Sequence, residues 1–165
     1  MEGRALAERL GQDVGIHLGD LGHVEAVVQA ATVDTGMEPR DVHLRSADFL
    51  DAVAFPTLTF KSTGVEPRGD DAFALHGDLT VRGRTMPVTF DVEYLGETVN
   101  LQGGLSTGFT ASTRISRRTW GLTWNVSLEA GGMLVGDEIK VEVDLELVKP
   151  AVPVEAEEKT LAGVA

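Results

Sequence analysis

Residues 73–94 read FALHGDLTVRGRTMPVTFDVEY, and this stretch decides the fold. Phe73, Leu75, Gly77, Leu79 and Val81 fall on one side of a two-residue period, with Ala74, His76, Asp78, Thr80 and Arg82 on the other. After a short turn at Arg82-Gly83-Arg84-Thr85, Val88, Phe90, Val92 and Tyr94 alternate with Thr89, Asp91 and Glu93. The pattern predicts a β-hairpin with one dry and one wet face, its glycine free to take positive φ.

Working outward, alternation recurs. Ile139, Val141, Val143, Leu145 and Leu147 alternate with Lys140, Glu142, Asp144 and Glu146, which predicts a final strand. Leu58 and Phe60 share a face in a strand at 57–62, and Val24 to Thr32 reads as a strand with mixed faces. Further strands are expected over Val99–Leu105 and Phe109–Ile115. Between Met37 and Ala54 the period is lost; Pro39 suits a helical first turn, with Val42, Leu44, Phe49 and Leu50 as its buried side. Before Val24, an amphipathic segment at Ala5–Leu10 precedes glycines 11, 15, 19 and 22, which leave no strand signal. From Pro150 the chain is Pro-, Ala- and Glu-rich and reads as a solvated acidic tail. The expected organisation is therefore a divergent segment at 1–23, a β domain at 24–149 and a flexible tail at 150–165. Many long strands linked by short hairpins, with a single helical insertion, predict an all-β, antiparallel, up-and-down barrel.

Composition narrows the chemistry. Cysteine is absent from the 165 residues, which removes disulfides, thiolate metal sites and a cysteine nucleophile. Net charge is −12, which repels nucleic-acid phosphates. No apolar run approaches the ~20 residues of a membrane-spanning helix, and Glu2 and Glu8 interrupt any leader-like apolar stretch, so the expected location is cytoplasmic. The histidines His17, His23, His43 and His76 show no metal-binding spacing, and no nucleophile elbow or phosphate-binding glycine loop occurs. Asp70-Asp71 and Glu157-Glu158 read as solvated pairs. Arg114, Arg117 and Arg118 read as surface arginines paired with local acids, or as contacts for an anionic head group. No catalytic residue, metal or cofactor is expected.

What remains is the apolar face: Phe60, Phe73, Leu75, Leu79, Phe90, Val92, Phe109, Leu122, Trp124 and Val141. Alternation fits a filled core and a hollow equally; glycines at inward positions, Gly77 and Gly103, would remove volume from that face. A hollow would hold a hydrocarbon, because each buried CH₂ contributes about 0.8 kcal/mol before association costs.

Several segments resemble the YceI-like family of polyisoprenoid-binding proteins. They are Val33-Asp-Thr-Gly, Arg40-Asp-Val-His-Leu-Arg-Ser-Ala-Asp-Phe-Leu-Asp, Phe55-Pro-Thr-Leu-Thr-Phe, Gly77-Asp-Leu-Thr-Val-Arg-Gly-Arg-Thr-Met-Pro-Val, Ile115-Ser-Arg-Arg-Thr-Trp-Gly-Leu, Trp124-Asn and Val135-Gly-Asp-Glu-Ile. The resemblance covers Val24 to Leu147. It implies an extended lipocalin-like barrel with a helical insertion, and a tunnel for an isoprenoid or other long-chain amphiphile of quinone or polyprenyl type. It also implies a homodimer and no catalysis. The ten apolar residues above become its expected tunnel wall; Gly83 and Pro87 shape the hairpin, and Asp41, His43, Arg45 and Asp48 tie the insertion down. The family's usual opening Asp-x-x-His-Ser-like strand is not recreated in Met1–His23, so the N-terminus reads as divergent or truncated and the sheet as incompletely closed at that edge. Two other readings stand beside the carrier: a small enzyme on an apolar substrate using Asp41, His43 or a strand carboxylate as acid or base, and a pocketless interaction or dimerisation module.

Overall fold

The computed structural model describes residues 14–18, 23–101, 103–129 and 134–149. The segment at 5–10 and the tail from Pro150 lie outside the described residues. Seven strands form one antiparallel sheet in chain order: β1 Val14–Leu18, β2 Val24–Gln29, β3 Thr57–Pro67, β4 Ala72–Val81, β5 Arg84–Val99, β6 Leu105–Ser116 and β7 Glu138–Lys149. Each strand pairs with its sequence neighbours, and among the described residues no ladder joins β7 to β1. The sheet is thus an up-and-down half-barrel, open between its first and last strands.

The β4–β5 hairpin has the register its alternation demands, with Leu75 opposite Phe90 and Val81 opposite Arg84. Its two linking residues, Arg82 (φ 50°) and Gly83 (φ 68°), both lie in the left-handed region, as a twist-matched two-residue turn requires. β1 falls in the opening stretch, where Gly15 sits within the strand and hides the period; it pairs with β2 from Val14↔Val28 to Leu18↔Val24.

Several boundaries differ from expectation. β2 ends at Gln29 and Ala30–Thr32 form a tight turn, because the Thr32 hydroxyl donates to the Gln29 carbonyl. β3 continues past Ser62 to Pro67 through an irregularity at Ser62/Gly64. Val99–Leu105 is not a strand. β5 reaches Val99, and the chain then reverses: Asn100 N–H donates to the Gly104 carbonyl, Gly103 N–H donates to the Asn100 carbonyl, and Gly103 takes φ 76°. Gly103 therefore serves a turn rather than an inward strand position.

The insertion begins with helix α1, Glu38–Arg45, with Pro39 in its first turn, and continues as turns to Ala54. Its buried side is the expected one at Phe49, with Leu44 and Leu50 half-buried, but not at Val42. Val42 is exposed, whereas Asp41 is buried and accepts hydrogen bonds from the Thr35 backbone N–H (2.9 Å) and hydroxyl. Those bonds, with the charges of Arg45 and Arg40, hold the Asp41 carboxyl below its usual range. Arg45 donates to the Val33 carbonyl and His43 pairs with Asp48 at 2.9 Å, so these polar residues bind the insertion mainly to itself and to the segment before it. Aromatic contacts tie it to the chain that follows β6, the His43 ring lying 4.4 Å and the Phe49 ring 5.3 Å from Trp124, and Asp51 faces Arg82 of the β4–β5 turn at 4.0 Å.

Candidate functional site

The concave face of the sheet carries two kinds of packing. Toward the β5–β6 turn it is filled. Phe73 and Phe109 meet edge to face at 6.4 Å, Tyr94 leans on Phe109 at 5.5 Å, and Val92 is buried beside them in the core with Phe60, Leu75, Phe90 and Ala111. Toward the β4–β5 turn the same face leaves a cavity of about 290 Å³, at the small end of the ~300–1,000 Å³ of small-molecule pockets.

The cavity runs along the inward positions of six strands: Val24, Ala26 and Val28 of β2, Leu58 and Phe60 of β3, Leu75, Leu79 and Val81 of β4, Phe90 of β5, Ala111 and Ile115 of β6, and Ile139, Val141, Val143 and Leu145 of β7. Ile139 to Leu145 alone spans about 20 Å of strand. Leu50 of the insertion, Trp120 and Leu122 complete the wall. Trp120, 5 % exposed, is fixed by donating its indole N–H to the Leu79 carbonyl at 3.1 Å. Thr59 and Arg117 are the polar residues of the lining, together with the indole of Trp120.

Arg117 is the one place where the structure overturns a reading of the basic cluster. Arg114 and Arg118 are exposed and paired with Glu138 and Asp137, as expected of surface arginines. Arg117 is instead 3 % exposed. Its donors reach the carbonyls of Leu122 (2.5 Å), Trp124 (2.9 Å), Gly136 (2.8 Å) and Val135 (3.4 Å) and the Asp137 carboxylate (3.1 Å). This clamps together the two legs of the β6–β7 connection, Leu122–Leu128 and Leu134–Asp137. The Arg118 hydrogen bond, with the charges of Arg118 and Arg117, holds the Asp137 carboxyl below its usual range. With its donors engaged, the guanidinium offers the cavity its stem rather than a charge.

Of the ten expected wall residues, the structure brings Phe60, Leu75, Leu79, Phe90, Leu122 and Val141 onto the cavity. Phe73, Val92 and Phe109 belong to the filled end, and Trp124 packs against His43 and Phe49 of the insertion. Trp120 occupies the place expected of Trp124. Both tryptophans sit in a segment without period, so nothing in the sequence separates them; Val81, Ile139, Val143 and Leu145, by contrast, were visible in the alternation itself. Gly77 also behaves differently from expectation. A Cβ there would lie 2.4 Å from the Phe60 ring, so the volume that glycine vacates is taken by Phe60 and not left hollow.

The wall can desolvate a hydrocarbon. Among the described residues no group of three or more His, Asp or Glu is placed to hold a metal ion, and no helix is long and apolar enough to cross a membrane. A second, shallow depression is lined by Asp71, Asp91, Glu93, Thr110 and Ser112 together with Ala72 and Val92.

Comparison with known proteins agrees with this geometry. The chain is 38 % identical over 99 residues to a UPF0312 protein of Azotobacter vinelandii, a match covering 60 % of this chain and 52 % of that one, so the chain spans about half the relative's length. In fold it is similar to the YceI protein of Campylobacter jejuni (TM-score 0.72, 20 % identity, 92 % of this chain and 87 % of that one). It is also similar to a polyisoprenoid-binding domain from Saccharophagus degradans (TM-score 0.56, 13 % identity, 84 % and 82 %). The profile of the YceI-like domain matches residues 9–147, and the chain belongs to that family.

Proposed function

We propose that this chain binds a long-chain isoprenoid or comparable amphiphile, of quinone or polyprenyl type, in the concave cavity, and carries or sequesters it without catalysis. The observation that carries this reading is the wall: some twenty residues, drawn from six strands and the segments beside them, leave about 290 Å³ with no unsatisfied polar group facing it. A genuinely apolar void of this kind favours hydrocarbon over water. The S. degradans neighbour, described as polyisoprenoid-binding, supports the ligand class.

Native mass spectrometry of the purified chain, before and after organic extraction, tests it. A retained lipid mass, or stoichiometric uptake of geranylgeraniol by the extracted protein, is the expected result. An extracted chain that takes up no isoprenoid alcohol or quinone overturns it. In the same reading a second copy covers the outer edge of β7, which among the described residues pairs only with β6, giving a homodimer, since a long strand edge favours edge pairing. Sedimentation equilibrium at micromolar concentration would return the dimer mass; a monomer would remove this element.

A further inference from the structure

We infer that the ring cluster of Phe73, Tyr94 and Phe109 is a chain-length stop, which matches the cavity to an isoprenoid tail about as long as a geranylgeranyl chain. The inference rests on the cavity being a lipid site. The hollow is bounded at both ends. At the β4–β5 turn Leu50, Trp120 and Leu122 close it. Toward the β5–β6 turn its lining stops at Leu75 of β4, Phe90 of β5, Ala111 of β6 and Leu145 of β7, although the strands run on. The next inward residues on β4, β5 and β6 are Phe73, Val92 and Phe109, and Tyr94 follows Val92. Phe109 stands opposite Tyr94 on one side and Leu145 on the other. Its ring centre lies 5.5 Å from that of Tyr94 and 6.4 Å from that of Phe73, so it is the ring on which both others lean.

What lies past the rings makes them an end rather than a narrowing. One row beyond Phe109 the paired inward positions are Thr107 and Glu97, with the Thr107 hydroxyl donating to the Glu97 carboxylate at 3.3 Å. A hydrocarbon pushed through the rings would strip water from that carboxylate, which is costly. Between the two closed ends, the wall from Ile139 to Leu145 spans about 20 Å of strand, a length that an extended geranylgeranyl chain fills. The lining has little else with which to choose a ligand: the Arg117 donors are engaged by carbonyls and by Asp137, so selection falls on the tail. A shorter chain leaves wall unfilled. A longer one sends its end through the open side of the half-barrel into water. Each CH₂ beyond either limit forfeits about fourfold in affinity.

Competition among tails of different length tests the assignment. The extracted full chain is offered farnesol, geranylgeraniol and geranylfarnesol in equal amounts in one detergent, and the bound masses are read by native mass spectrometry. The wild type should hold geranylgeraniol at least about tenfold over each of the others, the worth of fewer than two buried CH₂ groups. Phe109→Ala removes the central ring and should raise the bound ratio of geranylfarnesol to geranylgeraniol at least about tenfold. Phe109→Leu, which keeps an apolar core residue, should move that ratio in the same direction by about threefold, and it decides the matter where the alanine variant does not fold. A wild type that binds all three alcohols in the proportions offered, or a leucine variant with the wild-type ratio, overturns the stop and leaves the lipid reading standing. A wild type that retains none of the three removes both.

Discussion

The two ends of the concave face are built from the same alternating strands, yet one is solid and the other hollow. At the solid end three aromatic rings from β4, β5 and β6 converge on each other. At the hollow end the inward residues are aliphatic, and the aromatic rings stand at the walls: Trp120 is held by the Leu79 carbonyl and Phe60 is turned into the gap above Gly77. Alternation determines which side chains point inward, and ring placement determines whether they meet. Interior packing is dense by default, so a hollow persists only where the surrounding side chains are fixed by something other than mutual contact. Here that role falls to hydrogen bonds and the clamp on the β6–β7 connection.

The largest expected effect comes from breaking the hollow end at its clamp. Arg117→Ala strands an Asp137 partner and four carbonyls and should cost about 3–5 kcal/mol in urea unfolding, with loss of isoprenoid uptake. A stability change under 1 kcal/mol would mean that the connection is held elsewhere.

At the junction of the two ends, Gly77→Ala forces a methyl into the Phe60 ring and to within 2.6 Å of the Lys61 carbonyl oxygen. About 1–3 kcal/mol of destabilisation is expected from such overpacking, together with reduced uptake as Phe60 swings toward the cavity. Uptake unchanged at full stoichiometry would show that the ring moves elsewhere.

One pair of identical changes sharpens the comparison directly. Val92→Ala at the solid end should cost about 2 kcal/mol and Val141→Ala on the cavity wall about 1 kcal/mol, because only the first opens a new void in a closed environment. Equal costs, measured by chemical denaturation, would mean that the cavity wall is packed as tightly as the plug.

The smallest effect is on pH. Asp137 has its folded pKa depressed below 3.8, chiefly by the Arg118 hydrogen bond, so its contribution is present above that value and is lost as pH falls through the lower folded value. Asp137→Asn should therefore lower the neutral plateau while leaving stability at the acid extreme little changed, so that the acid limb below about pH 4 is flatter. An unchanged slope would assign the acid sensitivity to Asp41, whose carboxyl is depressed in the same direction by Thr35.

Much of this architecture was open to reading from the chain. The β4–β5 hairpin, β7 and the insertion around Pro39 carry local signals, a two-residue period and a glycine turn, that need no distant partner. β1 escaped because Gly15 falls within five strand residues, and its pairing with β2 is a contact rather than a pattern. The turn at Asn100–Gly104 looked like strand because Val99 and Leu105 happen to bracket it. Six of ten expected wall residues reach the cavity; the other four point inward or pack as aromatics should, but against different neighbours.

By itself, then, the amino-acid order settled the curled up-and-down sheet and its greasy inner side, because alternation and tight turns act over a few residues. Three things were left to the folded chain: which of two tryptophans closes the hollow, that Arg117 is buried, and that Phe60 rather than empty space fills the site of Gly77. Each depends on groups far apart in sequence competing for the same volume, and that competition is resolved only when the strands are brought together.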